Sequence, residues 1–105
     1  MTIAEIVAAL EQFPDDTLLL TSLGQLYAEA DELDRAEASF RQVLVLDPAY
    51  SVVYRYLGQT LVRRHRGTEA LEMYQRGLKV AQDQGDLQTM KELQVFIKRL
   101  NASSA

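Results

Sequence analysis

Apolar residues recur at helical spacing in one short segment after another along this chain. Ile3, Ile6, Val7 and Leu10 fall on one face of a segment from Thr2 to Gln12. Thr2 with Glu5 three residues later has the form of a capping box. Pro14 ends the segment, because the residue before a proline is pushed out of the α region. Leu20, Leu23, Tyr27 and Ala30 form the stripe of a second helix. Asp15, Asp16 and Thr17 can cap it, and acids there favour the positive end of a helix. After a turn at Asp31-Glu32-Leu33, Ala36, Phe40, Val43 and Leu44 face inward on a third helix. That helix is predicted to start from an Asp34 cap with Glu37 at the box position and to end near Leu46, where Asp47-Pro48 breaks it. Ser51 is the expected cap of a fourth helix carrying Tyr54, Leu57 and Leu61, and Thr68 that of a fifth carrying Ala70, Leu71, Tyr74, Leu78 and Ala81. Gln84-Gly85-Asp86 supplies a stop. A last helix, Asp86 to Leu100, puts Leu87, Met90, Leu93, Ile97 and Leu100 on one stripe. Val95 and Phe96 fall off that stripe, so either the buried face is broad or these two are offered to a partner. Asn101 to Ala105 reads as a short disordered polar tail.

The segments repeat. Leu23-Gly24 returns as Leu57-Gly58, 34 residues on, and at the same offset Leu20 returns as Tyr54, Tyr27 as Leu61, Ala36 as Ala70, Phe40 as Tyr74 and Leu44 as Leu78. Pro48 echoes Pro14, while Gln82 stands where a third proline would fall. A fixed period of this length in a helical chain is the sign of a stacked repeat. The order of an aromatic or large apolar residue, Leu-Gly, Tyr, Ala, an aromatic and Pro resembles the tetratricopeptide repeat. The resemblance implies an all-α, right-handed superhelix of antiparallel helix pairs, about six helices in a single domain. Residues 1–14 would be a leading half-repeat helix, 17–50 and 51–84 two full repeats, and 85–100 a capping helix. It also gives a reason for Gly24 and Gly58, each about 1 kcal/mol worse than alanine inside a helix: in the family a small residue here lets the two helices of a repeat approach closely. The family prefers glycine where this chain has Asp31 and His65, two residue types that tolerate a left-handed backbone. Continuing the register past residue 84 would put Gln88, Lys91 and Glu92 in the core, which a third full repeat would not allow.

Composition narrows the chemistry. The 105 residues contain no cysteine, which removes disulfides, thiolate nucleophiles and thiolate metal sites. No apolar run approaches the ~20 residues of a membrane span, and MTIAEIVAALEQF lacks a cationic start for a signal peptide, so a cytoplasmic protein with no membrane partner is expected. The single histidine, His65, lies between arginines in a turn, and the paired carboxylates lie at helix ends, so no catalytic, cofactor-binding or metal-binding residues are assigned and no cofactor is expected. The run Arg63-Arg64-His65-Arg66 is too short, in a chain with pI near 4.9, to be a nucleic-acid footprint. Charge is nonetheless uneven. Residues 1–50 carry two cations and ten acids (−8), and residues 51–105 nine cations and five acids (+4), summing to −4.

The resemblance implies a non-enzymatic binding module whose first helices line a concave groove. Leu18, Thr21, Gln25, Ala28 and Glu29 would face it from the first repeat, and Val52, Arg55, Gln59, Val62 and Arg63 from the second. Arg55, Gln59 and Arg63 are four apart and form a ridge, which favours an acidic or carboxylate-bearing peptide or protein. The lysine and asparagine by which one family subtype clamps the carboxylates of chaperone tails are absent; Thr21 and Gln25 stand in their places. The alternative is a self-associating structural module forming a homo-oligomer, the expected state being a monomer or a weak homodimer. It would use Leu93, Phe96 and Ile97 of the last helix, or the acidic front of one copy against the basic rear of another.

Overall fold

A computed structural model describes residues 1–103. Six helices and no strand occur among the described residues: α1 (Ile3–Gln12), α2 (Thr17–Glu29), α3 (Leu33–Leu46), α4 (Ser51–Arg63), α5 (Gly67–Gln84) and α6 (Leu87–Ser103). Each packs on its neighbours in chain order. In addition α2 touches α4 and α4 touches α6, so these three lie side by side.

Local chemistry sets most of the boundaries. Thr2 and Glu5 form the reciprocal capping box, at 3.2 and 3.0 Å, and Asp16 Oδ1 accepts from Leu18 and Leu19 N–H at 3.0 and 3.1 Å. Three helix ends share one device. Asp31 (φ 60°), His65 (φ 62°) and Gly85 (φ 69°) take the left-handed conformation. The next residue's N–H then reaches back across the turn: Glu32 to Tyr27 O, Arg66 to Leu61 O and Asp86 to Ala81 O, each at 2.9 Å. This is the Schellman arrangement, which satisfies carbonyls left open at a helix end.

Three expected caps are not made. α3 starts from Glu32 without a side-chain cap, so Asp34 is merely an acid in the first turn. Ser51 lies inside α4, whose cap is Tyr50, and its hydroxyl instead donates to Asp86 Oδ2 at 2.8 Å. α5 begins from Arg66, leaving Thr68 exposed. In each case the backbone emerges from a turn already shaped by other groups, so the polar side chain arrives a residue or more too late to cap. The last helix also runs further than expected. Asn101 to Ser103 are helical and so not a disordered tail, while Ser104 and Ala105 lie outside the described residues.

The core runs through both repeats. Phe40, Leu57 and Tyr74 are buried to within 2% of full occlusion, and Leu23 to 7%; burying a side chain of this size stabilises by about 1.5–3 kcal/mol. The glycines allow it. A Cβ on Gly24 would lie 2.5 Å from Phe40 Cε1, and one on Gly58 would overlap the Tyr74 ring more closely still. Gly77 does the same for the opposite helix, since a Cβ there would run into Tyr54 Cβ. Because that obstacle is the stem of a side chain rather than its tip, α4 and α5 could not make room by a rotamer change. Phe40 stacks on Tyr56 at 5.6 Å between ring centres, and Tyr74 on Phe96 at 5.8 Å, so each repeat's inner aromatic is covered by the following helix.

Candidate functional site

The inner wall is built by α2, α4 and α6. Two clefts cross it. One, of about 250 Å³, lies between α2 and α4, with Gln25, Ala28 and Glu29 on one side and Tyr56, Gln59, Thr60 and Arg63 on the other. The second, of about 310 Å³, lies between α4 and α6 and is more apolar. Val62, Tyr74, Phe96 and Leu100 form its floor, with Gln59, Arg63, Arg99 and Ser103 around it. Gln59 and Arg63 border both clefts and so join them.

Of the groove residues expected from the sequence, Gln25, Ala28, Glu29, Gln59, Val62 and Arg63 come together on this wall. Thr21 does not. It is 6% exposed, and its hydroxyl is occupied by Thr17 O at 2.7 Å, one turn back in the same helix. Arg55 is on the same face of α4 but is turned to α6. Its Nε lies 2.8 Å from Glu92 Oε2 and its guanidinium stands 4.9 Å from the Tyr56 ring centre. The Nε–H is not aligned on the carboxylate, so the contact is one of charge rather than a directed hydrogen bond. Arg63 donates to Ala28 O at 3.0 Å and to Asp31 Oδ1 at 2.9 Å, which ties α4 to the C-terminal end of α2. Both arginines of the expected ridge therefore already have acidic partners within the chain. On α6, Leu93 is fully buried against Gly77, while Phe96 and Ile97 are half-buried in the core's edge. The outward apolar residues of this helix are Leu87 and Val95 instead.

The rest of the basic run is also used internally. Glu37 on α3 is 8% exposed and accepts from Arg41 Nε (2.8 Å), Arg64 Nη1 (2.8 Å) and Arg66 Nη1 (2.6 Å). Arg66 grips Glu69 with two further bonds at 2.8 and 2.7 Å. Burial pushes the Glu37 carboxyl up. The hydrogen bond from Arg41 and the charges of Arg41, Arg66 and Arg64 outweigh it and hold the group below the usual carboxylate range. Glu69 is lowered mainly by its hydrogen bond from Arg66. Burial raises the Tyr74 phenol to about 12, against the opposing charge of Arg55. Tyr74 is thus a neutral hydroxyl at physiological pH. Among the described residues no three His, Asp or Glu side chains converge to hold a metal ion, and no helix is long and apolar enough to cross a membrane.

Sequence reasoning missed Tyr56 and Arg99 as wall residues. Tyr56 has no echo at the 34-residue offset, where Ser22 stands. Arg99 does have a signal, but in a shifted frame. α4 starts 34 residues after α2, and α6 starts 36 after α4, because α5 has 18 residues where α3 has 14 while the turn after it, residues 85–86, is two residues shorter than the turn 47–50. In that frame Glu29, Arg63 and Arg99 hold one position on three successive inner helices.

No protein-family model matches the chain. A TPR repeat-containing protein of Pseudomonas aeruginosa is 31% identical over 87 residues, which are 83% of this chain and 83% of that protein. The solution structure of a protein from Bordetella parapertussis is similar at TM-score 0.88 and 39% identity, over 100% of this chain and 91% of that one. The TPR2B domain of yeast Sti1, solved as a complex with pHsp70, reaches a TM-score of 0.90 at only 12% identity, over 96% of this chain and 81% of that chain, a likeness of fold. With a 34-residue period, close-packed glycine–aromatic pairs and a relative matched along most of its length, the chain belongs to the tetratricopeptide repeat family.

Proposed function

We propose that the protein is a non-enzymatic interaction module that holds a peptide or an extended segment of a partner protein along the wall of α2, α4 and α6. The observation that carries this reading is the pair of clefts joined at Gln59 and Arg63, one polar and one apolar, on a scaffold whose arginines other than Arg99 are ion-paired within the described residues. An extended segment needs both kinds of surface: amides to meet its backbone and an apolar recess for a side chain. The complex of yeast Sti1 shows that a domain of this fold can hold a partner. The position for a test is Gln59, because it borders both clefts and its side chain makes no hydrogen bond among the described residues. Gln59→Trp is expected to fill the junction and to remove most of the proteins captured from lysate, with the helical circular dichroism unchanged. A captured set identical to that of the wild type would retire the groove.

A self-associating module is the second reading, supported by the outward residues Leu87 (65% exposed) and Val95 (46% exposed) on α6 beside Lys91 and Lys98. Gln94 stands 36 residues after Gly58, so a further hairpin could not approach this helix as Tyr74 approaches α4. Light scattering at low and high salt separates the readings. A salt-insensitive monomer leaves only the groove.

A further inference from the structure

The wall carries a charge order that its internal ion pairs do not cancel. At the α2 end, Glu29 is exposed and its carboxylate has no hydrogen-bond or ion-pair partner among the described residues. In the middle, Arg63 is neutralised by Asp31 at 2.9 Å. At the α6 end, Arg99 stands 5.6 Å from the Phe96 ring centre and has no ion-pair partner among the described residues. None of the residues lining the α4–α6 cleft is acidic, and its floor is apolar. These positions are equivalent on successive inner helices, so the sequence negative, neutralised, positive runs across the wall in the direction an extended ligand would take.

Resting on the groove reading above, we infer that this wall selects partner segments by polarity. The preferred segment places an aliphatic or aromatic side chain in the α4–α6 cleft with a carboxylate beside it on Arg99, and several residues away a cationic group on Glu29. The physical case is charge complementarity with a fixed anchor. A guanidinium placed over an aromatic ring by its charge keeps its N–H donors, which lie in its own plane, free for a bidentate carboxylate. The cation–π contact holds it over the cleft mouth, so an acid next to the anchoring side chain reaches it with little ordering cost. Glu29 at the far end rejects a segment bound in the opposite sense, which would set acid against acid and cation against cation.

The test is a selection from a phage-displayed library of random linear peptides, followed by fluorescence anisotropy on the selected peptides. The expected result is enrichment of an apolar residue adjacent to Asp or Glu, with Lys or Arg further along. Arg99→Glu then weakens these peptides about tenfold, 1.4 kcal/mol, and Val62→Gln weakens them several-fold by wetting the cleft floor. The double variant Glu29→Lys with Arg99→Glu should select peptides of the reverse charge order. All three sites are exposed, and circular dichroism confirms folding of each variant. Peptides lost on Gln59→Trp yet indifferent to Arg99→Glu would overturn the polarity inference and leave the groove standing. No selected peptide, or binding indifferent to Gln59→Trp as well, would overturn both.

Discussion

Glu37→Gln is the most informative single change, because one buried carboxylate joins the two repeats. It accepts from Arg41 of its own helix and from Arg64 and Arg66 in the turn leading to α5, at 2.8, 2.8 and 2.6 Å. A charge-assisted hydrogen bond nets about 1.5–3 kcal/mol when well buried. The arginine side chains are 41, 33 and 35% exposed, and water screening of that kind reduces each bond to about 0.5–1 kcal/mol. Glutamine keeps the shape and one acceptor but leaves three guanidiniums facing one another. The net loss is expected to be about 2 kcal/mol, a large part of the ~5–15 kcal/mol typical of a whole domain, and the melting point should fall by about 10 °C for a chain of this size. Urea denaturation at pH 7 measures it. The pH dependence supplies an independent check. Because the folded carboxyl is held below its ordinary 4.5, its contribution is present above about pH 4.5 and is lost as the pH falls through the lowered folded value. The wild type should therefore lose stability through that acid window more steeply than Glu37→Gln, with Glu5, Glu69 and Asp86, also lowered, supplying the slope that remains. A variant within 0.5 kcal/mol of wild type at pH 7, with the same acid limb, would refute the argument that this carboxylate binds the repeats together.

Three further outcomes are expected. Gly58→Ala forces a methyl into the Tyr74 ring; overpacking costs about 1–3 kcal/mol, more than the roughly 1 kcal/mol gained in helix propensity, so chemical denaturation should show a net loss. His65→Gly relieves a non-glycine residue at φ 62° and should raise stability by about 0.5–1 kcal/mol; because His65 borders neither cleft, peptide affinity measured by anisotropy should not move. Asp16→Ala removes the acceptor of two N–H groups at the start of α2 and should cost about 1 kcal/mol, read as a shift in urea midpoint with an unchanged slope.

The chain itself determined the helices, their pairing and the close approach of each pair. All of these depend on local periodicity or on a feature stated twice, as in Gly24 with Phe40 and Gly58 with Tyr74. The two non-glycine turn residues, Asp31 and His65, were legible for the same reason, since backbone conformation at a helix end is a property of a few adjacent residues. Tertiary structure alone decided the fate of the charged side chains. Arg55 reaches Glu92 on α6, Arg63 reaches Asp31 on the turn after α2, and Arg64 and Arg66 converge on Glu37, at separations of 27 to 37 residues. A long flexible cation covers a wide arc about its helix, and its partner is chosen by which carboxylate the stacking brings within reach. The candidate ridge of arginines was thus visible as spacing, whereas its internal neutralisation, and the surplus left at Glu29 and Arg99, depended on how the repeats nest.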